Sequence, residues 1–311
     1  VGLGNVAMDV VRILGSSCQA LASTDIAPYA LEALRESRVK TIYLLGRRGP
    51  AQAAFTSPEI QELGELEEAD MVVAREELEL DPASRAQVAE QTKDSTLKKN
   101  LETLAKFSQR DPGGRPKRIV LRFLVSPVSL HGSDRVQSMT LMRNRLEPDG
   151  RGGLKALATG QTEKIPVGLV FRSVGYQSVA LPGLPFDERA AVIPNAAGRV
   201  LASAGAAETV PGVYVVGWVK RGPTGLIGTN KADAYESVDL LLEDLWNGKL
   251  PAPEEPAREA VERLLRERGV DIVTYEDWRA LDRIEQARGK ELGRPRVKFC
   301  RVEEMLAALR K

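Results

Sequence analysis

Three short segments carry the residue types and spacings that could do chemistry. The first is Gly2-x-Gly4-Asn5-Val6-Ala7-x-Asp9, at the very start of the 311 residues. Glycines at that spacing let a backbone turn tightly against a pyrophosphate. The amides that open the following helix favour its charge, and Ala7 fills the third small position, where helix meets sheet. Standing alone, the pattern also fits a plain glycine turn before a helix. The second is Gly46-Arg47-Arg48-Gly49-Pro50, at the end of the β-prone run 40–45. In a dinucleotide fold that place faces the adenosine ribose, where an acidic residue suits a free 2′-hydroxyl and arginines suit a 2′-phosphate. No acid stands there, so the pair predicts NADP over NAD; the plain alternative is a solvated basic turn. The third, Gly217-Trp218-Val219-Lys220-Arg221-Gly222-Pro223-Thr224-Gly225-Leu226-Ile227-Gly228, runs from a short strand through a glycine-rich turn into a helix. Such a turn suits a phosphate or an electron-rich ring edge. Trp218 fits beside a flat cofactor, or else within a core.

These segments need elements to position them. Apolar spacing predicts helices over 6–21, 26–37, 57–65, 83–110, 232–246 and 258–269, with another over 303–311. Strands are expected at 40–45, 70–73, 118–125, 135–146, 167–174, 198–202 and 213–216. The helix at 26–37 accounts for the long interval between Gly4 and Arg47, about 43 residues against the usual ~20. Glycines that end strands, and strands that alternate with helices, point to an α/β fold with mostly parallel sheets. The run 167–174 reads as a buried strand. The chain opens directly on the glycine turn with no strand ahead of it, and the expectation is a fragment whose N-terminal portion is missing.

Composition narrows the function. Lysine and arginine total 44 against 43 aspartate and glutamate, so no nucleic-acid partner is implied. Cys18 and Cys300 form no CxxC, and His131 is the only histidine, which argues against a metal site, a redox dithiol or a histidine-based triad. No run of about eighteen apolar residues exists to span a membrane. A reducing compartment, the cytoplasm, is expected.

Together the three segments resemble the adrenodoxin reductase family, the NADPH–ferredoxin reductases with a bacterial branch. Its G-x-G-N-V-A-x-D matches residues 2–9, its V-K-T-x-x-L-x-G-R-R-G-P matches 39–50, with Phe55-Thr56 and Glu59 after it, and its G-W-x-K-R-G-P-T-G-x-I matches 217–227. The resemblance implies a two-dinucleotide-binding-domain flavoprotein of the glutathione-reductase-like kind. Residues 1–177 would be its NADP(H)-binding domain, lacking a first strand, and 178–311 the C-terminal part of its FAD-binding domain. Asn5, Val6, Ala7 and Met8 would line the NADP pyrophosphate and ribose, Arg47 and Arg48 would hold the 2′-phosphate, and Glu59 would touch the same nucleotide. Trp218, Gly225, Leu226 and Ile227 would contact FAD, with Gly225 also meeting the nicotinamide.

The implied reaction is hydride transfer from NADPH to FAD, then single-electron transfer to a ferredoxin-type iron–sulfur protein. It needs no acid–base residue from this chain. Gln61 stands where mitochondrial members place a ferredoxin-docking arginine, which favours the bacterial branch. The chain as given is expected to bind NADP(H) weakly and to be inactive as a reductase. Two other readings stay open. One is a different two-dinucleotide flavoprotein, such as a disulfide reductase or a glutamate synthase small-subunit-like reductase; the other is a non-catalytic NADP-binding module.

Overall fold

The computed structural model describes residues 1–92, 95–150, 152–225 and 227–310, without the side chain of Ile227. The chain forms two compact units, Val1–Val174 with Val273–Lys311, and Gly175–Ile272. Read from sequence, the chain divides once, after residue 177. The segment from Val273 onward, grouped there with the second domain, instead folds with the first unit. Polar ties explain this: Arg294 donates to the carbonyls of Thr24 (3.0 Å) and Ile26, and Lys298 pairs with Asp25 at 2.8 Å.

The first unit opens with α1 (Asn5–Gly15), α2 (Cys18–Ala22) and α3 (Pro28–Arg35). The single helix expected over 6–21 breaks because Ser17 caps α2, its Oγ accepting from the Ala20 N–H at 3.0 Å. Next come β1 (Thr41–Leu45), α4 (Ser57–Leu63), β2 (Ala69–Val73), α5 (Pro82–Ala89), α6 (Thr96–Ser108) and β3 (Lys117–Arg122). The expected helix over 83–110 is two helices, each with its own cap: Asp81 for α5 and Ser95 for α6. β3 lies between β1 and β2, and both pairings are parallel. α1 packs on β1, β3 and α4, and α6 packs on α4 and β2. The core between them contains Met8, Val11, Leu44, Ile60, Leu104 and Leu121.

A second sheet follows, β4 (Val125–His131), β5 (Ser138–Pro148) and β6 (Leu154–Pro166), antiparallel in that order. Segment 167–174, expected as a buried strand, is irregular and exposed: Leu169, Phe171 and Val174 are each at least 46% accessible. Its backbone is held by a bond from Val167 N–H to Gln137, and by two with Val1, from Ser173 N–H at 2.7 Å and to the Phe171 carbonyl at 2.8 Å. A cleft of about 530 Å³ runs between it and the outer edge of β1, lined by Val11, Tyr43, Leu45, Met139 and Val170 among others.

The second unit contains β7 (Asn195–Ala196), β8 (Arg199–Leu201) and β9 (Thr209–Tyr214), again antiparallel. Then come α7 (Trp218–Arg221), α8 (Ile227–Trp246) and α9 (Arg258–Glu267). Its small core is Ile193, Val200 and Val215. α10 (Tyr275–Glu291) and α11 (Val302–Leu309) return to the first unit. Among the named strands of the described residues parallel pairing is therefore confined to one sheet, with a single further parallel bridge between Gly4 and Ala54, against the expectation of mostly parallel sheets. The connections of six and five residues between β4, β5 and β6 are too short for a crossover and force antiparallel neighbours.

Candidate functional site

The glycine turn and the arginine turn lie side by side. Gly2 N–H donates to the Leu45 carbonyl at the end of β1, 2.9 Å away. A Cβ on Gly46 would stand 2.2 Å from a methyl of Leu3, so the two turns touch. Gly2 itself has φ +116°, and a Cβ there would lie 1.9 Å from the Ser173 carbonyl oxygen, so only glycine fits. At Gly4 the situation reverses. A Cβ there meets nothing within 4 Å, which leaves open room beside the start of α1.

Within that first turn the four predicted residues divide. Ala7 and Met8 are buried, and their N–H groups bond to the Gly4 carbonyl at 2.9 and 3.3 Å. The Asn5 N–H is turned to the Ala54 carbonyl by the parallel bridge between Gly4 and Ala54, and that of Val6 has no acceptor among the described residues, as is usual for a helix-opening amide. The Asn5 side chain is committed, its Oδ1 accepting from Thr56 N–H at 2.9 Å at the start of α4. Glu59 on α4 is committed too. One carboxylate oxygen accepts from Arg12 at 2.6 Å, and Arg12 also reaches Asp9 at 2.7 Å and Glu62 at 3.4 Å. Glu59 thus helps tie α4 to α1, and its second oxygen is the part left for a nucleotide.

Arg47 is exposed and Arg48 half-buried, and neither guanidinium has a carboxylate partner among the described residues. The backbone beneath them is the opposite. The Gly46 carbonyl accepts from Val125 N–H (3.0 Å), that of Arg47 from Asn144 Nδ2 (3.0 Å), and that of Arg48 from Leu124 N–H (3.1 Å). Leu124, with φ +54°, turns the chain between β3 and β4 so that both its polar groups are used; its carbonyl accepts from Asn144 N–H at 2.7 Å. The buried Glu77 carboxylate holds this turn, accepting from Phe123 N–H at 2.5 Å and from Arg122 at 2.7 Å. Such an arrangement, with a fixed main chain and free cationic heads, suits a phosphate dianion.

The second unit holds the other predicted residues. Trp218 opens α7, is 40% exposed, and lies 5.7 Å centroid to centroid from the tilted Tyr176 ring. It is therefore not a buried core indole. Gly225 has φ +83°, and a Cβ there would lie 2.1 Å from the Thr229 hydroxyl. Leu226 lies outside the described residues. Ile227 begins α8, and its side chain lies outside them as well.

Lys220 and Asp233 organise this loop. Asp233 accepts from Gly217 N–H at 2.5 Å and pairs with buried Lys220 at 3.1 Å, and Lys220 also reaches Glu236 at 2.5 Å. Burial alone would lower the Lys220 ammonium, but its bonds to Glu236 and Asp233 outweigh that and hold it above its ordinary value. Burial would likewise raise Asp233, yet the Gly217 N–H and Lys220 hold it below the usual carboxylate range. The sequence singled out neither Asp233, Asn144 nor Arg12. Each acts through a bond to a distant segment, which no local pattern announces.

No protein-family model matches the chain. The NADPH-ferredoxin reductase FprA of Mycobacterium tuberculosis is 43% identical over 311 residues, covering 98% of this chain and 66% of that protein. The human mitochondrial NADPH:adrenodoxin oxidoreductase is 39% identical over 323 residues, covering 99% and 63%. Among solved structures, M. tuberculosis FprA in complex with NADPH superposes with a TM-score of 0.90 at 40% identity, over 100% of this chain and 66% of that one. The chain thus spans slightly under two thirds of the length of these relatives.

Proposed function

The chain belongs to the adrenodoxin reductase family, bacterial branch, with an α/β two-dinucleotide-binding flavoprotein fold, and on that premise we propose that it serves an NADPH–ferredoxin oxidoreductase. The first unit would bind NADP(H) through the segment up to Val174, and Gly175–Ile272 would supply part of an FAD-binding domain. Electrons pass to a ferredoxin-type iron–sulfur protein in the cytoplasm. The activity belongs to a polypeptide carrying the rest of the relatives' length.

One observation carries the reading: two unpaired guanidiniums, Arg47 and Arg48, on an anchored turn that touches the open room at Gly4. The residues fit the cofactor. The Val6 amide and the start of α1 that Asn5 opens would receive the pyrophosphate, with Ala7 and Met8 supplying the packed helix beneath. Arg47 and Arg48 receive the 2′-phosphate, and the second oxygen of Glu59 accepts from a hydroxyl of the same nucleotide. In the second unit the exposed Trp218 gives an aromatic face. The backbone at Gly225 and Ile227, at the start of α8, would lie against the flavin, and Leu226 lies outside the described residues. When bound, FAD accepts a hydride equivalent from NADPH and releases electrons singly. This chain's groups bind and orient, and no side chain need move a proton.

The test is nucleotide binding by the full chain. NADPH should bind more tightly than NADH. Arg47→Ala or Arg48→Ala should each weaken NADPH about 10- to 100-fold, the ~1.5–3 kcal/mol of a charged hydrogen bond, with NADH little changed. Equal affinities in the unsubstituted chain would sink the 2′-phosphate reading. Anaerobic flavin reduction by NADPH, measured on a polypeptide of the relatives' length, separates a reductase from a non-catalytic NADP-binding module.

A further inference from the structure

We infer that Asn144 is a positioning residue for nucleotide selectivity, acting through the Arg47–Arg48 turn. This rests on the reading of those arginines as the 2′-phosphate site. Asn144 is 6% exposed, on β5, nearly 100 residues beyond the turn it serves. Its Nδ2 donates to the Arg47 carbonyl at 3.0 Å and to Ser126 Oγ at 2.8 Å, and its own N–H donates to Leu124 at 2.7 Å. Leu124 in turn holds the Arg48 carbonyl. One residue therefore fixes both arginines, the first directly and the second through a single intermediary.

Alternation alone places it. Along β5 the buried Met139 and Leu141 share one face, and Met142 and Asn144 share the other. Ser126 pairs with Met142, so Asn144 meets its hydroxyl on that second face, while the register shift between Met142 and Asn144 puts its extra residues on β6. Leu124 sits in the left-handed region, which a residue with a Cβ rarely adopts. This one departure from regular geometry and one buried amide side chain converge on the same two carbonyls, where a stretch serving only as sheet would need neither. Strain of this kind persists where surrounding contacts over-determine it, and it concentrates at binding and catalytic sites. With the carbonyls tied down, the guanidiniums start from a fixed base, and less freedom is lost when they close on a phosphate.

The experiment compares affinities for adenosine 2′,5′-bisphosphate and 5′-AMP, which differ by the 2′-phosphate, in the full chain. Asn144→Asp keeps size and removes the donor. The 2′,5′-bisphosphate Kd should rise about 5- to 10-fold, the scale of one hydrogen bond, while 5′-AMP changes by less than about twofold. Ser126→Ala removes the neighbouring acceptor without touching Arg47, and should leave the ratio unchanged. If Asn144→Asp does not fold, Asn144→Ser, with a shorter donor, is measured the same way and should lower the ratio. A folded Asn144 variant with the original ratio, or one that weakens both ligands equally, overturns the inference and leaves a merely structural asparagine. Arg47→Ala and Arg48→Ala run alongside. If they also leave the ratio unchanged, the 2′-phosphate reading itself has failed and the inference falls with it.

Discussion

Asparagine in place of Asp233 keeps the shape of the side chain and removes its charge from the centre of the loop over residues 217–222. One carboxylate oxygen accepts from Gly217 N–H at 2.5 Å; the other lies 3.1 Å from Lys220 Nζ and 3.5 Å from Arg221 Nε. The Lys220 and Asp233 side chains are only 6% and 7% exposed. Stranding one member of a buried pair costs on the order of 3–5 kcal/mol. Here Lys220 keeps Glu236 at 2.5 Å, and that carboxylate is 56% exposed, so the stranding is partial. The loss should resemble that of a hydrogen bond to a charged group, about 1.5–3 kcal/mol. Since ~1.4 kcal/mol is a factor of ten, the loop should open about 10 to 100 times more often. Amide hydrogen exchange followed by mass spectrometry reads this directly, because exchange tracks local opening. Peptides covering 217–222 should exchange faster by that factor, while those covering 41–45 and 117–122 keep their rates. Unaltered exchange at 217–222 would refute the reasoning, since something other than the carboxylate would then be fixing the loop.

Other outcomes follow from the same geometry. Gly4→Ala should cost less than about 1 kcal/mol of stability, since the added methyl meets no atom, yet weaken NADPH at least about tenfold by entering the room the pyrophosphate needs; calorimetry and titration on one sample check both halves. Ile60→Ala, at a site with no solvent exposure, should cost about 2–5 kcal/mol in urea denaturation. Asp244 is held well below the usual carboxylate range, first by its hydrogen bonds with Arg199 and then by that from Tyr214. A depressed carboxylate stabilises the fold above its unfolded value, about 3.9, and that contribution disappears as pH falls further. The second unit's urea midpoint should thus hold from pH 7 to 5 and drop below about pH 4, less steeply in Arg199→Gln; equal slopes in both proteins would contradict it.

Much of this was legible in the residues, and the exceptions have physical causes. The run 40–45 is rich in β-prone residues and ends at Gly46, and β1 occupies it; Pro58 opens a helix over 57–65, and α4 starts there. Where a helix was read as one piece, a serine inside it proved to be a cap, Ser17 in one case and Ser95 in the other. β6 left no trace in the sequence, because its exposed middle carries no apolar alternation and its pairing with β5 alone makes it a strand. Conversely 167–174 has the apolar content of a strand without a continuous ladder, and composition cannot report a missing neighbour. The candidate site divides in the same way. Glycines and arginines announce themselves because their roles are backbone freedom and charge. Asn144 does not, since it is buried on the face of β5 opposite Met139 and Leu141, where a polar residue in alternation reads as solvent-facing.

The carbonyl anchoring of residues 46–48 has a consequence for how such a protein can change over generations. What secures the turn is main chain, which every residue type supplies, and the gripping groups come from elsewhere in the chain. The identities at 47 and 48 are thereby released from any duty in folding. A lineage can exchange arginine for an acid or a neutral residue there, and so migrate from one nicotinamide pool to the other, while the scaffold beneath is inherited intact.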